Sequence, residues 1–385
     1  MRTRPLGHWN VLLVSDSLAL GGAERHVVGL ARSLLERGHT VSIACSTGGP
    51  LATEAHDAGV IVETLGDRLI KRQSDPAYRE WLRHLTLRLR PDLVHAHMHA
   101  SAVAAAQALI DTRVPFIVTE HSEGTWRDAA AWAEAASTYR RAQGIVAVSA
   151  RIAQRIAAAA TNVPRIHVIR NALELAGLPQ RTLQRRFRRR QLVGVIARLV
   201  PEKGVDVFVR AAAKVAAAVP QTCFVVVGDG PERRALQHLA TDLGIRERIG
   251  FVGAREESMS VLQRLDLLCV PSRSEGTPLV VLEAMAAGTP IVAAAAGGIP
   301  EQVRDRREAL LVTPDDPDAL AAATVRLLEH RLLALALALA ARRRVTRTFA
   351  HDRMVSSLED VYRSSMEMTG RSAARTAVYP VAASA

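Results

Sequence analysis

Two acids, Glu275 and Glu283, stand in the run SEGTPLVVLEAMAAGTP (274 to 290), whose other residues are small, apolar or turn-forming. Thr277 reads as a helix cap, Pro278 suits the first helical position, and Gly288 followed by Pro290 stops the helix. That spans about ten residues, roughly 15 Å. Leu279, Val280, Val281, Leu282, Ala284, Met285, Ala286 and Ala287 leave no polar face, the pattern of a helix covered on every side, and Glu283 is its only charge. A carboxylate in such a place is costly unless something hydrogen-bonds it. Glu275 stands just before the helix N-terminus, where free N–H groups attract anions. Both acids look placed for a ligand; the structural alternative is an Arg partner for Glu283 and a solvated loop position for Glu275.

Cations occur at a second place. In ARLVPEKG (197 to 204) an apolar run ends beside Arg198, and Lys203 follows five residues later. An Arg fork and a Lys point charge at one sheet edge suit a diphosphate, against the alternative of two solvated surface charges. In SDSLALGGAERHV the first strand ends at Asp16, and Gly21 and Gly22 precede a helix beginning near Ala23, where glycines let a phosphate approach backbone N–H groups; a plain tight turn is the other reading. VVVGDGPE (225 to 232) ends another strand in a Gly-Asp-Gly turn, a backbone feature first. The alternation in HAHMH (95, 97, 99) presents three histidines on one strand face, but no acid or Cys motif adjoins it and it enters an apolar helix, so no metal site is expected. His121, in VTEHSEG directly after a strand, is better placed for a ligand.

These residues need elements to hold them. Apolar strand runs alternate with helix-like segments through both halves of the chain, among them NVLLVSDS, HTVSIACS, DLVHAHM and PFIVTEHS in the first and LVGVIARL, TCFVVVGDG, DLLCVPS and PIVAAAA in the second. Such alternation gives parallel sheets covered on both faces, here α/β with two doubly wound Rossmann-like domains. The strand-poor, basic stretch from about 172 to 191 is the natural boundary. Expected limits are 1–177, 178–350, a closing helix at 351–368 and a mobile tail at 369–385.

Composition agrees with a globular protein at 49% hydrophobic and 23% charged. Cys45, Cys223 and Cys269 lie far apart in strand-like runs, which predicts buried thiols in a reducing, cytoplasmic setting. No secretory signal is expected, and the longest apolar run, LLALALALAA (332 to 341), is about half of a bilayer span and reads as a core helix. Half of the net charge of +12 falls in one stretch, Arg181, Arg185, Arg186, Arg188, Arg189 and Arg190, with no nucleic-acid motif beside it. It reads as a solvated linker, or as a patch for a polyanionic acceptor or for peripheral contact with anionic lipid on the inner membrane face.

SEGTPLVVLEAMAAGTPIVAAAAGGIPEQV (274 to 303), preceded by GDGPE, FVG and DLLCVPS, resembles the retaining, nucleotide-sugar-dependent glycosyltransferases of the GT4 family, with the GT-B fold. ARLVPEKG, GGAERHV and VIRNA resemble the same family in the same order, and the similarity covers roughly residues 10 to 363. It implies two Rossmann-like domains whose parallel sheets face each other across a cleft, the acceptor on the N-terminal side and the donor on the C-terminal side. It also implies that HDRMVSSLEDVY is the helix returning to the N-terminal domain.

By resemblance, the acid matching Glu283 holds the donor ribose hydroxyls, a diol being a good partner for a carboxylate, and Glu275 faces the transferred sugar. Arg198 and Lys203 match the diphosphate cations, Gly21 and Gly22 the loop that approaches the diphosphate, and His121 a histidine near sugar and acceptor. Thr277 and Pro278 stand where many members carry an aromatic and Gly, so the amides of Leu279 and Val280 serve the donor instead. RNALEL (170 to 175) keeps only Asn171 of the usual Asn-Gly-Val-Asp. The reaction implied is attack by an acceptor hydroxyl on the face the diphosphate leaves, with no metal, since Arg198, Lys203 and helix N-termini neutralise the leaving group. Nothing resembles the paired carboxylates of a retaining hydrolase. The rivals are a sugar-nucleotide epimerase on the same fold and a non-catalytic sugar-nucleotide-binding partner subunit.

Overall fold

The computed structural model describes residues 7–174, 191–255 and 258–370, so the Arg-rich stretch at 181–190 and all but the start of the expected tail lie outside the described residues. The strands, in chain order, are β1 Asn10–Ser17, β2 Thr40–Thr47, β3 Ile61–Thr64, β4 Leu93–His97, β5 Phe116–Glu120, β6 Gly144–Ala147, β7 Ile166–Val168, β8 Gln191–Ile196, β9 Thr222–Val227, β10 Ile249–Phe251, β11 Leu267–Val270, β12 Ile291–Ala294 and β13 Leu310–Val312. The helices are α1 Gly22–Glu36, α2 Pro50–Asp57, α3 Pro76–Leu89, α4 His99–Ala108, α5 Ala129–Arg141, α6 Ala150–Ala159, α7 Val205–Ala218, α8 Arg233–Asp242, α9 Ser258–Leu262, α10 Leu279–Ala287, α11 Ile299–Gln302, α12 Pro317–Glu329, α13 Arg331–Thr348 and α14 His351–Met368.

The strands form a seven-stranded sheet, β3-β2-β1-β4-β5-β6-β7, and a six-stranded sheet, β10-β9-β8-β11-β12-β13, parallel throughout. In each, the order reverses at one place, between β1 and β4 in the first and between β8 and β11 in the second. Such reversals open a crevice at the carboxyl ends of the strands, where open α/β sheets bind ligands. The chain divides into two compact units, one of residues 1–148, 153–169 and 355–385, the other of 149–152 and 170–354.

Coverage on both faces explains why the strands read as unbroken apolar runs. In the second sheet Leu267 and Cys269 join the core of α7 and α12, while Leu268 and Val270 face that of α10 and α13. In the first, His95 of β4 is tied to Tyr362 of α14, and Arg37, the residue that caps the end of α1, is ion-paired with Glu359 of α14 at 2.6 Å, which fastens the last helix to the first unit. β7 gave no sequence signal: it is a three-residue strand at the sheet's edge, too short for a period to show.

Several local expectations need correction. The apolar run at 332–341 is not core throughout: α13 buries only the stripe Ala334, Leu337, Ala338, Ala341 and Val345, and Leu332 is 84% exposed. Alternating Leu and Ala have a period of two, which a helix of 3.6 residues per turn scatters around its axis. Cys45 and Cys269 are buried but Cys223 is half-buried. Among the described residues no helix is long and apolar enough to cross a membrane.

Candidate active site

At the reversal of the second sheet, two loops meet. One follows β8 and carries Arg198, then a 3-10 turn, Pro201–Lys203, before α7. The other follows β11 and carries Ser272, Arg273 and Glu275 before α10. Arg273 fastens them together. Its guanidinium donates to Pro201 O at 2.6 Å and to both oxygens of Asp206 at 2.8 and 2.9 Å, and its amide donates to Glu202 O. Planar, bidentate donation of this kind fixes geometry as well as charge. Sequence reading missed Arg273, whose only signal was a lone cation beside the SEG motif.

Glu275 is buried, not a solvated loop residue, and accepts hydrogen bonds from Lys203 Nζ at 2.6 Å and Ser272 Oγ at 2.7 Å. Arg198 is exposed, and among the described residues its side chain makes no hydrogen bond or ion pair. Thus one predicted cation is held by the neighbouring acid, and the other points to solvent with its donors unused.

The helix bearing Glu283 departs from expectation at its start. α10 begins at Leu279, Pro278 is its N-cap with φ −65° and ψ 123°, and no side chain caps it, so Thr277 is not the cap. Extended ψ at the residue before the helix leaves the first N–H groups without intrahelical partners. The loop is instead held by its carbonyls: Asn171 Nδ2 donates to Thr277 O and Gln302 Nε2 to Pro278 O, each at 3.0 Å. Gly298 packs so closely that a Cβ there would lie 1.9 Å from Gly276 O, and its N–H donates to Glu275 O. The GGIPE segment therefore seats the SEGT loop. Gly228 and Gly230 do the same for Arg198, since Cβ atoms there would meet Ala197 O and Leu199 O at 1.8 and 2.4 Å.

Nor is α10 covered all round. Leu279, Val280 and Glu283 are half-buried while their neighbours are buried, which leaves one open strip down the helix. Residues 279, 280 and 283 share a face at spacings of three and four. The sequence could not show this, because that face is written in Leu and Val.

The first unit presents a different site at its own reversal. β1 ends at Ser17, one residue beyond Asp16, and α1 starts at Gly22 with Gly21 extended as its N-cap. The space beside Gly21 is taken by Glu24, whose Oε2 would lie 2.1 Å from a Cβ there, whereas Gly22 faces nothing within 4 Å. Asp16 is buried beneath this loop and accepts from Ser101 N and Oγ at 2.9 and 2.8 Å; burial still pushes its carboxyl up to about 7.

Only two of the HAHMH histidines share a strand face. Met98 has φ 67° and turns the chain, so His99 opens α4 and pairs with Glu134 at 3.0 Å. His95 is fixed through both ring nitrogens, by Tyr362 and Thr119 hydroxyls at 2.7 Å each. His97 Nδ1 lies 3.0 Å from His121 Nε2. Burial pushes His121 down to about 4 and His95 to about 3, and takes His97 well below the ordinary imidazole range. The loop after β5 is tied by Arg127, which pairs with Glu120 at 2.6 Å and lies over the rings of Trp126 and Trp132; Tyr139 also donates to Glu120 at 2.7 Å. His26, on α1, joins His97 and His121 and was not singled out from the sequence.

Comparison with known proteins agrees with this layout. Residues 20–176 match the profile of Glycosyltransferase Family 4 and residues 181–344 that of Glycosyl transferases group 1. The glycogen synthase of Mycobacterium tuberculosis is 28% identical over 91% of this chain and 94% of its own. A GDP-mannose-dependent alpha-(1-6)-phosphatidylinositol monomannoside mannosyltransferase of Mycolicibacterium smegmatis is 36% identical over 40% of this chain and 42% of its own. The fold is that of Anabaena HepE, solved with UDP-glucose, at a TM-score of 0.80 and 22% identity over 92% of this chain and 99% of that one. Fold and family matches together define a glycosyltransferase with the GT-B fold. The chain belongs to the group 1 glycosyltransferases of family 4.

Proposed function

We propose that the chain is a retaining hexosyltransferase that moves a sugar from a UDP- or GDP-sugar to a hydroxyl of a glycan, lipid-linked or small-molecule acceptor. The observation that carries the reading is the second sheet's reversal, where Lys203 and Glu275 lie on joined loops, the open N–H groups of Leu279 and Val280 and the half-buried Glu283 lie on the helix that follows, and Arg198 makes no hydrogen bond or ion pair among the described residues. Arg198 and Lys203 take the diphosphate, with the amides of Leu279 and Val280 and the backbone of Thr277 beside it. Glu283 takes the ribose diol, whose two O–H groups satisfy a carboxylate without a counter-charge. Glu275 then faces the sugar, and Lys203 moves from it toward the phosphate when donor binds. Gly22, with open space above it, and Gly21 form the corresponding loop in the first unit, and His121 serves sugar and acceptor. The diphosphate is neutralised by side chains and a helix N-terminus, without a metal.

As the anomeric C–O bond breaks, the electron pair goes to the diphosphate, the acceptor oxygen bonds the same face, and its proton passes to the leaving oxygen. Arg198 and Lys203 lower the barrier by holding the charge that grows on that oxygen. The protein is expected to work in the cytoplasm, with the Arg181–Arg190 stretch meeting anionic lipid at the inner membrane face; salt-sensitive binding to anionic but not neutral vesicles checks this. NMR of the reaction with UDP-glucose, GDP-mannose and related donors, with and without sugar acceptors, tests the whole reading. A glycoside of the donor's own anomeric configuration supports it. Inversion contradicts it, and an altered free sugar formed without acceptor supports an epimerase.

A further inference from the structure

Three histidines from three separate elements converge at the carboxyl edge of the first sheet: His26 on α1, His97 at the end of β4 and His121 just past β5. Each can offer a ring nitrogen such that the three atoms lie within 4.8 Å of one another. The His26 ring centroid is 5.5 Å from that of His97 and 5.0 Å from that of His121. A neutral imidazole has one N–H and one lone pair. A single proton shared between His97 Nδ1 and His121 Nε2 therefore leaves one outer nitrogen of the pair with a lone pair and the other with an N–H. Those outer atoms, His97 Nε2 and His121 Nδ1, are buried and have no hydrogen-bond partner among the described residues. Buried polar atoms in this condition are rare and point to a bound water or ion.

The donor set decides between these. Imidazole nitrogens suit zinc and its transition-metal neighbours, whereas calcium and magnesium take oxygens. We propose that His26, His97 and His121 form a binding site for a divalent transition metal of the zinc class, its fourth position open to water or a hydroxyl oxygen. Three protein ligands with one open position is the arrangement of catalytic rather than structural zinc sites. With bonds of about 2.0–2.1 Å, the metal takes the place of the proton held between His97 Nδ1 and His121 Nε2, which is released on binding. His95 is a wall and not a ligand, since both its nitrogens are engaged and its ring lies 4.1 Å from that of His97. The site belongs to the first unit and shares His121 with the sugar and acceptor role proposed above, while no metal meets the diphosphate.

The full chain, untagged and stripped with chelator, is titrated with cobalt(II) alone and then with zinc(II). Intense visible bands of tetrahedral cobalt that saturate near one ion per chain and are bleached by zinc are expected. His26→Gln and His121→Gln are expected to weaken binding by more than about tenfold, the loss that outer-shell changes alone can cause, while the exposed His84→Gln leaves it unchanged. Zinc should also raise the melting temperature of the wild type and not of the two variants, provided circular dichroism shows them folded. No cobalt bands, or bands unaltered in a folded His26→Gln protein, would overturn the proposal. If one variant fails to fold, the other decides.

Discussion

The two sheets reverse their strand order in the same way, yet the side chains gathered there differ in kind. At the second reversal they carry charge and hold one another, Lys203 on Glu275 and Arg273 on Asp206. At the first they are imidazoles kept neutral by burial, beside an aspartate whose carboxyl burial has raised to about 7. Charged pairs fill one reversal, and buried imidazoles with lone pairs to offer fill the other. One fold thus supplies position, and the residues at the strand ends supply the chemistry.

Breaking the charged site is expected to have the largest effect. Lys203→Ala removes a cation that acts mostly on the developing phosphate charge, so kcat/KM should fall about 10²- to 10³-fold, with most of the loss in kcat. Glu283→Ala should come next, weakening donor binding about 10- to 100-fold, the range of about 1.5–3 kcal/mol for a hydrogen bond to a charged group. Isothermal titration separates the two, because Lys203→Ala should retain more nucleoside affinity than Glu283→Ala.

Arg273 sharpens the contrast, since it joins the two loops and is not assigned to the donor. Arg273→Ala should cost roughly tenfold in turnover, and Arg273→Lys should not restore it, because an ammonium cannot reproduce the bidentate fork on Asp206. Steady-state kinetics with a folded variant checks this. The smallest effect on transfer is expected at Asp16 of the first unit. Burial raises the folded pKa of Asp16 to about 7 from an ordinary 3.8, so its contribution to stability is complete below about pH 4 and is lost as pH rises toward 7. Asp16→Asn keeps an acceptor for Ser101 and cannot ionise. Urea unfolding should therefore show the variant gaining on the wild type by on the order of 1 kcal/mol per pH unit across that window, and showing no gain at pH 4.

The second unit was the more legible of the two. Its acids lie in one unbroken run, its cations follow one strand, and the glycines that seat the loops lie in GDG and GGIPE, so adjacency in sequence stood for adjacency in space. The open strip on α10 stayed hidden because Leu279 and Val280 look like core, and the cap was misplaced because Pro278 suits either side of a helix start. In the first unit the histidines come from positions 26, 97 and 121, and only the pairing of β4 with β5 and the packing of α1 over the sheet join them. The alternation in HAHMH pointed to three histidines on one face, but the turn at Met98 removed His99 and distant His26 took the third place. Fold class was written in apolar runs that strand after strand repeats, whereas that cluster was written in single residues.

Donor binding tests the central claim most directly. Thermal shift and isothermal titration of the wild type and Glu283→Ala are run with UDP, GDP, ADP and CMP and their sugar conjugates, with no divalent ion added. The predicted result is that one nucleoside diphosphate raises the wild-type melting temperature by mass action and does so far less in the variant. An equal rise in both proteins would remove Glu283 from the nucleoside site, and binding that appears only when a divalent ion is supplied would contradict a diphosphate held by Arg198 and Lys203.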